Sequence, residues 1–166
     1  QSQQGNHRLK ADHWGGALPD VGVYCLNAAR HVFAAEPVAV QAMASRPAED
    51  PRFAEIDASL AVTLRFPGDR LAQFFCSFGS GTSESIRIIG SSGELILDPA
   101  FKFDSALRLT VRADGKETVI PFQQVDHFSG QIAYFSDCIL IRTPPEADGE
   151  EGLADMRALL AIDEAA

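Results

Sequence analysis

Apolar residues along this chain fall into three successive rhythms. Between Ala17 and Ala34 small apolar side chains (Val21, Cys25, Ala28, Ala29, Val32) recur at helical spacing, and Asp20, Tyr24, Asn27 and His31 form a polar stripe beside them. The spacing predicts a helix over 17–34. Pro19 is accommodated in its first turn, where the missing N–H has no partner to lose, and Glu36-Pro37 stops it. The period then changes to two. Residues 38–43 read as a strand. Over 56–66 Ala58, Leu60, Val62, Leu64 and Phe66 share one face, and Pro67-Gly68-Asp69 turns the chain into a partner strand over 70–78 with Leu71, Phe74 and Cys76 as apolar contacts. Two more hairpins are predicted, 84–89 with 94–97 and 107–112 with 118–122, the second around Asp114-Gly115. Helical spacing returns at Phe128, Ile132, Phe135 and Ile139 and ends at Thr143-Pro144-Pro145. Gly149-Glu150-Glu151-Gly152 then opens a last helix over 153–166, with Leu153, Met156, Leu160 and Ile162 apolar. A helix, a block of antiparallel strands and two more helices make an α+β fold, with helices on one face of an open sheet.

The length, 166 residues, suits one domain with a short appendage, and residues 1–14 read as a polar lead-in or linker ahead of a domain over 15–166. The 46% hydrophobic content is that of a globular chain able to bury a core. A net charge of −9 without a basic cluster argues against nucleic acid as a partner. No apolar run reaches the ~20 residues that cross a bilayer, so no membrane is expected either. The polar start carries neither the charged nor the apolar region of a secretory leader, and it lacks an initiator methionine, so a piece of a longer protein is expected. Three cysteines without metal-ligand spacing are read as reduced, buried thiols of a cytoplasmic protein.

Few stretches carry chemistry. Gly79-Ser80-Gly81 begins like a dinucleotide fingerprint, but the third glycine is missing and a strand follows where a helix is required. His7, His13, His31 and His127 lack metal-ligand spacing, so no metal is expected, and there is no serine-nucleophile elbow. Asp126 beside His127 reads as a helix cap. Asp20 and Tyr24 stand out: a carboxylate one turn from a phenol can orient the hydroxyl for proton transfer. On the residues alone the alternatives stay open, since an aspartate is favoured at any helix N-terminus and a tyrosine can simply complete a core.

Gly15-Gly16-Ala17-Leu18, Asp20-Val21-Gly22-Val23-Tyr24 and Asn27-Ala28-Ala29-Arg30 resemble the second domain of the Gfo/Idh/MocA oxidoreductases, above all the glucose–fructose oxidoreductase branch. Glu36-Pro37-Val38-Ala39-Val40, Asp98-Pro99-Ala100, Phe128-Ser129-Gly130-Gln131 and Gly149-Glu150-Glu151-Gly152 extend the resemblance in order from about residue 8 to 166. The resemblance implies a large, mostly antiparallel open β-sheet domain that follows an NAD- or NADP-binding Rossmann domain. It further implies a sugar or polyol substrate and a homodimer or homotetramer formed through the sheet face. By position, Asp20 matches the aspartate of the catalytic helix and Tyr24 the proton donor or acceptor; Pro19 departs from the bulkier residue usual there. Arg8, Lys10, His13 and Asn27 become the substrate-binding candidates. No residue of this chain is expected to hold the cofactor, whose domain and Glu-Lys-Pro lysine are absent from it, so the chain alone is expected to be inactive. The competing expectation is a non-catalytic dimerisation or regulatory module that kept the fold.

Overall fold

The alternation over 58–66 builds the main core. The structure, a computed structural model, describes residues 6–166; the first five residues of the expected lead-in lie outside them. β1 (Ala39–Ser45), β2 (Ser59–Phe66) and β3 (Arg70–Ser77) form an antiparallel sheet in the order β1-β2-β3, with Val62 opposite both Ala42 and Phe74. Leu60, Val62, Leu64 and Phe66 are buried beneath α1 (Val23–Phe33) and α3 (Gly149–Glu164), where Leu18, Leu26, Leu159 and Ile162 close over them. Each such side chain contributes roughly 1.5–3 kcal/mol by leaving water. Arg70 closes the far end of α1: its guanidinium donates to the Phe33 carbonyl at 3.0 Å and lies over the Phe33 ring.

The chain divides into two compact units, residues 6–80 with 146–166, and residues 81–145. The second holds β4 (Ile86–Gly90), β5 (Gly93–Leu97), β6 (Leu107–Ala113) and β7 (Lys116–Phe122), an antiparallel sheet in sequence order. Both sheets are antiparallel, as the fold class requires, and residues 78–85, which form no strand, separate β3 from β4 along the chain. α2 (His127–Ile141) belongs to the same unit. Asp126 caps it by accepting from the Ser129 N–H, and Phe128 meets the edge of Phe103 with ring centroids 5.7 Å apart.

Four sequence expectations are corrected. The buried stripe of the first helix is Leu18, Gly22, Leu26 and Arg30, at successive i+4 steps; Cys25 is half-buried and Val32 exposed. Leu71 points to the open face of its sheet, because the pleat that buries Cys76 sends the odd-numbered residues outward. The strand expected from 56 starts at Ser59, and Ile56 and Ala58 instead join Leu9 and Phe53 in a satellite cluster. The last helix begins one turn early, at Gly149, since Asp148 accepts from the Glu150 and Glu151 N–H groups and so outweighs the poor propensity of two glycines. Its core residues are Leu159 and Ile162; Leu153, Met156 and Leu160 are exposed.

Candidate active site

The glycine pair explains how the lead-in is built into the site. Two 3-10 turns, His7–Leu9 and Ala11–His13, carry the chain toward Gly15, and Leu9 is buried in the satellite cluster. Gly15 N–H donates to the Lys10 carbonyl at 2.9 Å and Gly16 N–H to the Arg8 carbonyl at 2.8 Å. A Cβ on Gly15 would stand 2.5 Å from the Arg8 carbonyl oxygen, and Gly16 has a φ of +124°. Only glycine fits either position. The result folds Arg8 back over the helix entry, where its Nε donates to Asp20 Oδ1 at 2.6 Å.

Asp20 lies in a π-helical turn, Leu18–Gly22, that precedes α1 and is closed by the Val23 N–H on the Leu18 carbonyl. Pro19 sits in its first positions, where the missing N–H costs no helix bond. Gly22 ends the turn against β3; a Cβ there would lie 3.1 Å from Cys76 Sγ. Asp20 is half-buried, and Tyr24, in the first turn of α1, is 58% exposed. The structure thus brings Arg8 and Asp20 together at the entry of the helix that presents Tyr24. The other candidates have partners of their own. Lys10 Nζ sits 2.5 Å from Glu55 Oε1, a hydrogen bond that raises the ammonium pKa, and exposed His13 has its Nε2 4.0 Å from Asp12. Asn27 Nδ2 donates to Asp155 Oδ2 on α3 at 3.0 Å.

Sequence reasoning missed Arg30. Its side chain is 4% exposed and uses all five N–H donors. Nε and Nη2 grip Glu36 at 2.9 and 2.6 Å, Nη1 and Nη2 grip Glu151 at 2.7 and 3.1 Å, and Nη1 also donates to Asp155 Oδ1 at 2.5 Å. The visible signal was an arginine four residues after Leu26, together with acidic residues at the Glu-Pro stop and in the first turns of the last helix. Hydrogen bonding from Arg30 holds the Glu36 carboxyl below its ordinary value of 4.5. A carboxylate depressed on folding stabilises the fold above its ordinary pKa, and that contribution is lost as pH falls through the depressed value. Glu36→Gln is therefore expected to flatten the acid limb of the thermal stability curve below pH 4.5. Melting temperatures recorded down the pH scale check this; a limb as steep as in the wild type contradicts it.

The remaining groups limit the chemistry. Burial pushes the Cys76 thiol up to about 12 and raises Cys25 as well, which disfavours the nucleophilic thiolate. Among the described residues no group of three or more His, Cys, Asp or Glu is placed to hold a metal, and no helix is long and apolar enough to cross a membrane. A dinucleotide cradle does not fit Gly79-Ser80-Gly81, which leads through coil into β4 and offers no helix N-terminus for a pyrophosphate.

A D-xylose 1-dehydrogenase (NADP(+)) of Haloarcula marismortui is 35% identical over an alignment of 162 residues that covers 95% of this chain and 44% of that protein. A trans-1,2-dihydrobenzene-1,2-diol dehydrogenase of Bos taurus is 30% identical over 69% of this chain and 33% of its own length. Among solved structures, the aldose-aldose oxidoreductase of Caulobacter crescentus complexed with glycerol superposes with a TM-score of 0.90 at 33% identity, covering 97% of this chain and 48% of that one. The chain spans about half the length or less of these relatives. The model of the GFO/IDH/MocA C-terminal domain matches residues 1–96, more than half of the sequence, and the chain belongs to that family.

Proposed function

We propose that this chain is the C-terminal, substrate-side domain of an NAD(P)-dependent oxidoreductase acting on a sugar or polyol, preceded in the whole protein by a Rossmann domain. The observation that carries the reading is the exposed Tyr24 in the first turn after the ion-paired Asp20, in a chain of this family. The relatives named for xylose and aldose chemistry support the substrate class, and the xylose dehydrogenase named for NADP supports the cofactor.

The residues supply the proton half of the reaction. Tyr24 Oη gives a proton to the substrate oxygen in reduction and takes it back in oxidation. A phenol titrates near 10 in water, so a cation from the partner domain is needed to bring it toward neutrality. Asp20 adds a fixed negative charge at the helix entry, and Arg8 holds it in place; Arg8 thereby acts through Asp20 more than on the sugar. Lys10, His13 and Asn27 remain outer candidates for sugar hydroxyls. The nicotinamide, bound by the other domain, supplies or accepts the hydride. The 166-residue chain alone, given nicotinamide cofactor and aldoses, is expected to show no turnover, whereas the longer polypeptide reduces or oxidises them. Cofactor-dependent turnover by the short chain overturns the division of labour. An absence of dehydrogenase activity in the longer protein overturns the enzyme reading in favour of an assembly module.

The open face of β1–β3 carries exposed Met43, Leu71 and Phe75, and we assign it to a homodimer or homotetramer contact. Three unpaired cysteines support a cytoplasmic setting.

A further inference from the structure

The unit formed by residues 81–145 leaves most of its apolar side chains uncovered. Among its described residues only Ala100 and Cys138 are buried. One face of its sheet is built for water. Arg87 Nη2 donates to Glu94 Oε2 at 2.8 Å, while Arg112 donates to Glu94 Oε1 at 3.2 Å and to Glu117 Oε2 at 2.7 Å, a charge ladder across all four strands. α2 is built otherwise. Phe128, Ile132, Phe135 and Ile139 follow one another at i, i+4, i+7 and i+11, which places them on one side of the helix, and each is between 54% and 68% exposed. Asp137 falls on the opposite side. A single exposed apolar residue needs no explanation, but a contiguous stripe of four large ones marks an interface.

We propose that the α2 stripe is the docking surface for the Rossmann domain of the same polypeptide; the inference rests on the reading that such a domain precedes this chain. α2 lies inside the stretch that superposes on the aldose-aldose oxidoreductase, and more than half of that protein lies outside it. The xylose dehydrogenase likewise has more than half of its length outside the match. In a protein of that length, as much polypeptide again is at hand to cover the stripe. A domain tethered by the chain itself meets α2 at an effective concentration set by the link, so it covers the stripe in every molecule. A second copy would leave the stripe bare on dilution.

The test is hydroxyl-radical footprinting of the full-length protein, with side-chain oxidation compared between residues of one type. Ile132 and Ile139 are expected to react at least about fivefold more slowly than Ile89, which stands opposite Glu94 on the charged face and is 72% exposed. The protection is expected to persist when the protein is diluted to its lowest oligomeric state. Equal reactivity of the stripe and Ile89 overturns the proposal. Protection that vanishes on dilution also overturns it, by assigning the stripe to a second copy. Ile132→Lys gives an independent reading, since lysine is a good helix former and costs little on a helix that faces water. In the full-length protein it is expected to lower the melting temperature by about 5 °C, because it puts a charge into an apolar contact. An unchanged melting temperature overturns the proposal. Titration with NADH and NADPH separates this inference from the reading beneath it. A full-length protein that binds either nucleotide with its stripe open overturns the docking alone, and one that binds neither overturns the Rossmann reading as well.

Discussion

Full-length enzyme carrying Tyr24→Phe is expected to turn over its sugar about 10²- to 10⁴-fold more slowly than the wild type, the range that a positioned general acid or base contributes. The substitution removes one oxygen from a ring that is already 58% exposed, so it opens no cavity in the core. The fold and the melting temperature are expected to stay close to wild type. Cofactor affinity is expected to be nearly unchanged, because the proposed nucleotide site lies outside this chain. Steady-state kinetics with separate kcat and KM values check this: a loss confined to kcat marks an interaction made in the transition state. A loss appearing only in the sugar KM would reassign Tyr24 to binding.

The second large effect is on stability. Gly15→Ala places a Cβ 2.5 Å from the Arg8 carbonyl oxygen, 2.7 Å from its carbon and 2.8 Å from the Lys10 carbonyl oxygen. These are backbone atoms held by the Gly15 and Gly16 N–H groups, so neither side can yield without breaking the bonds that dock the lead-in. A cost of about 3 kcal/mol is expected, at the upper end for overpacking a close contact. The loss reaches the site as well, since displacing Arg8 opens its 2.6 Å ion pair with Asp20. Chemical denaturation reads the first effect and kcat the second. A variant as stable as the wild type would show that the lead-in moves aside freely, which contradicts the docked geometry.

The sequence was most readable where one rhythm had one meaning. In β2 the alternating apolar residues were legible because their neighbours, Ala61, Thr63 and Arg65, are small or polar. Asp114-Gly115 and Gly68-Asp69 marked their turns because those positions adopt positive φ. β3 was ambiguous: Leu71 and Phe75 lie on one face and Phe74 and Cys76 on the other, so either parity looked apolar. The helix stripe holding Asp20, Tyr24 and Asn27 was legible, yet its packed side was misread. The true stripe includes a charged Arg30, whose burial depends on carboxylates 6, 121 and 125 residues away. No local pattern encodes such partners. The same holds for Arg8 and Lys10, grouped by their nearness in sequence and bonded to different carboxylates, Asp20 and Glu55. Spacing identified the polar residues on the helix but not the long-range bonds that some of them make.

The pH dependence of kcat/KM in the full-length enzyme, measured side by side for the wild type and Tyr24→Phe, decides whether Tyr24 moves the proton. The wild-type profile is expected to contain a limb that disappears in the variant. An identical profile in the two proteins would contradict it.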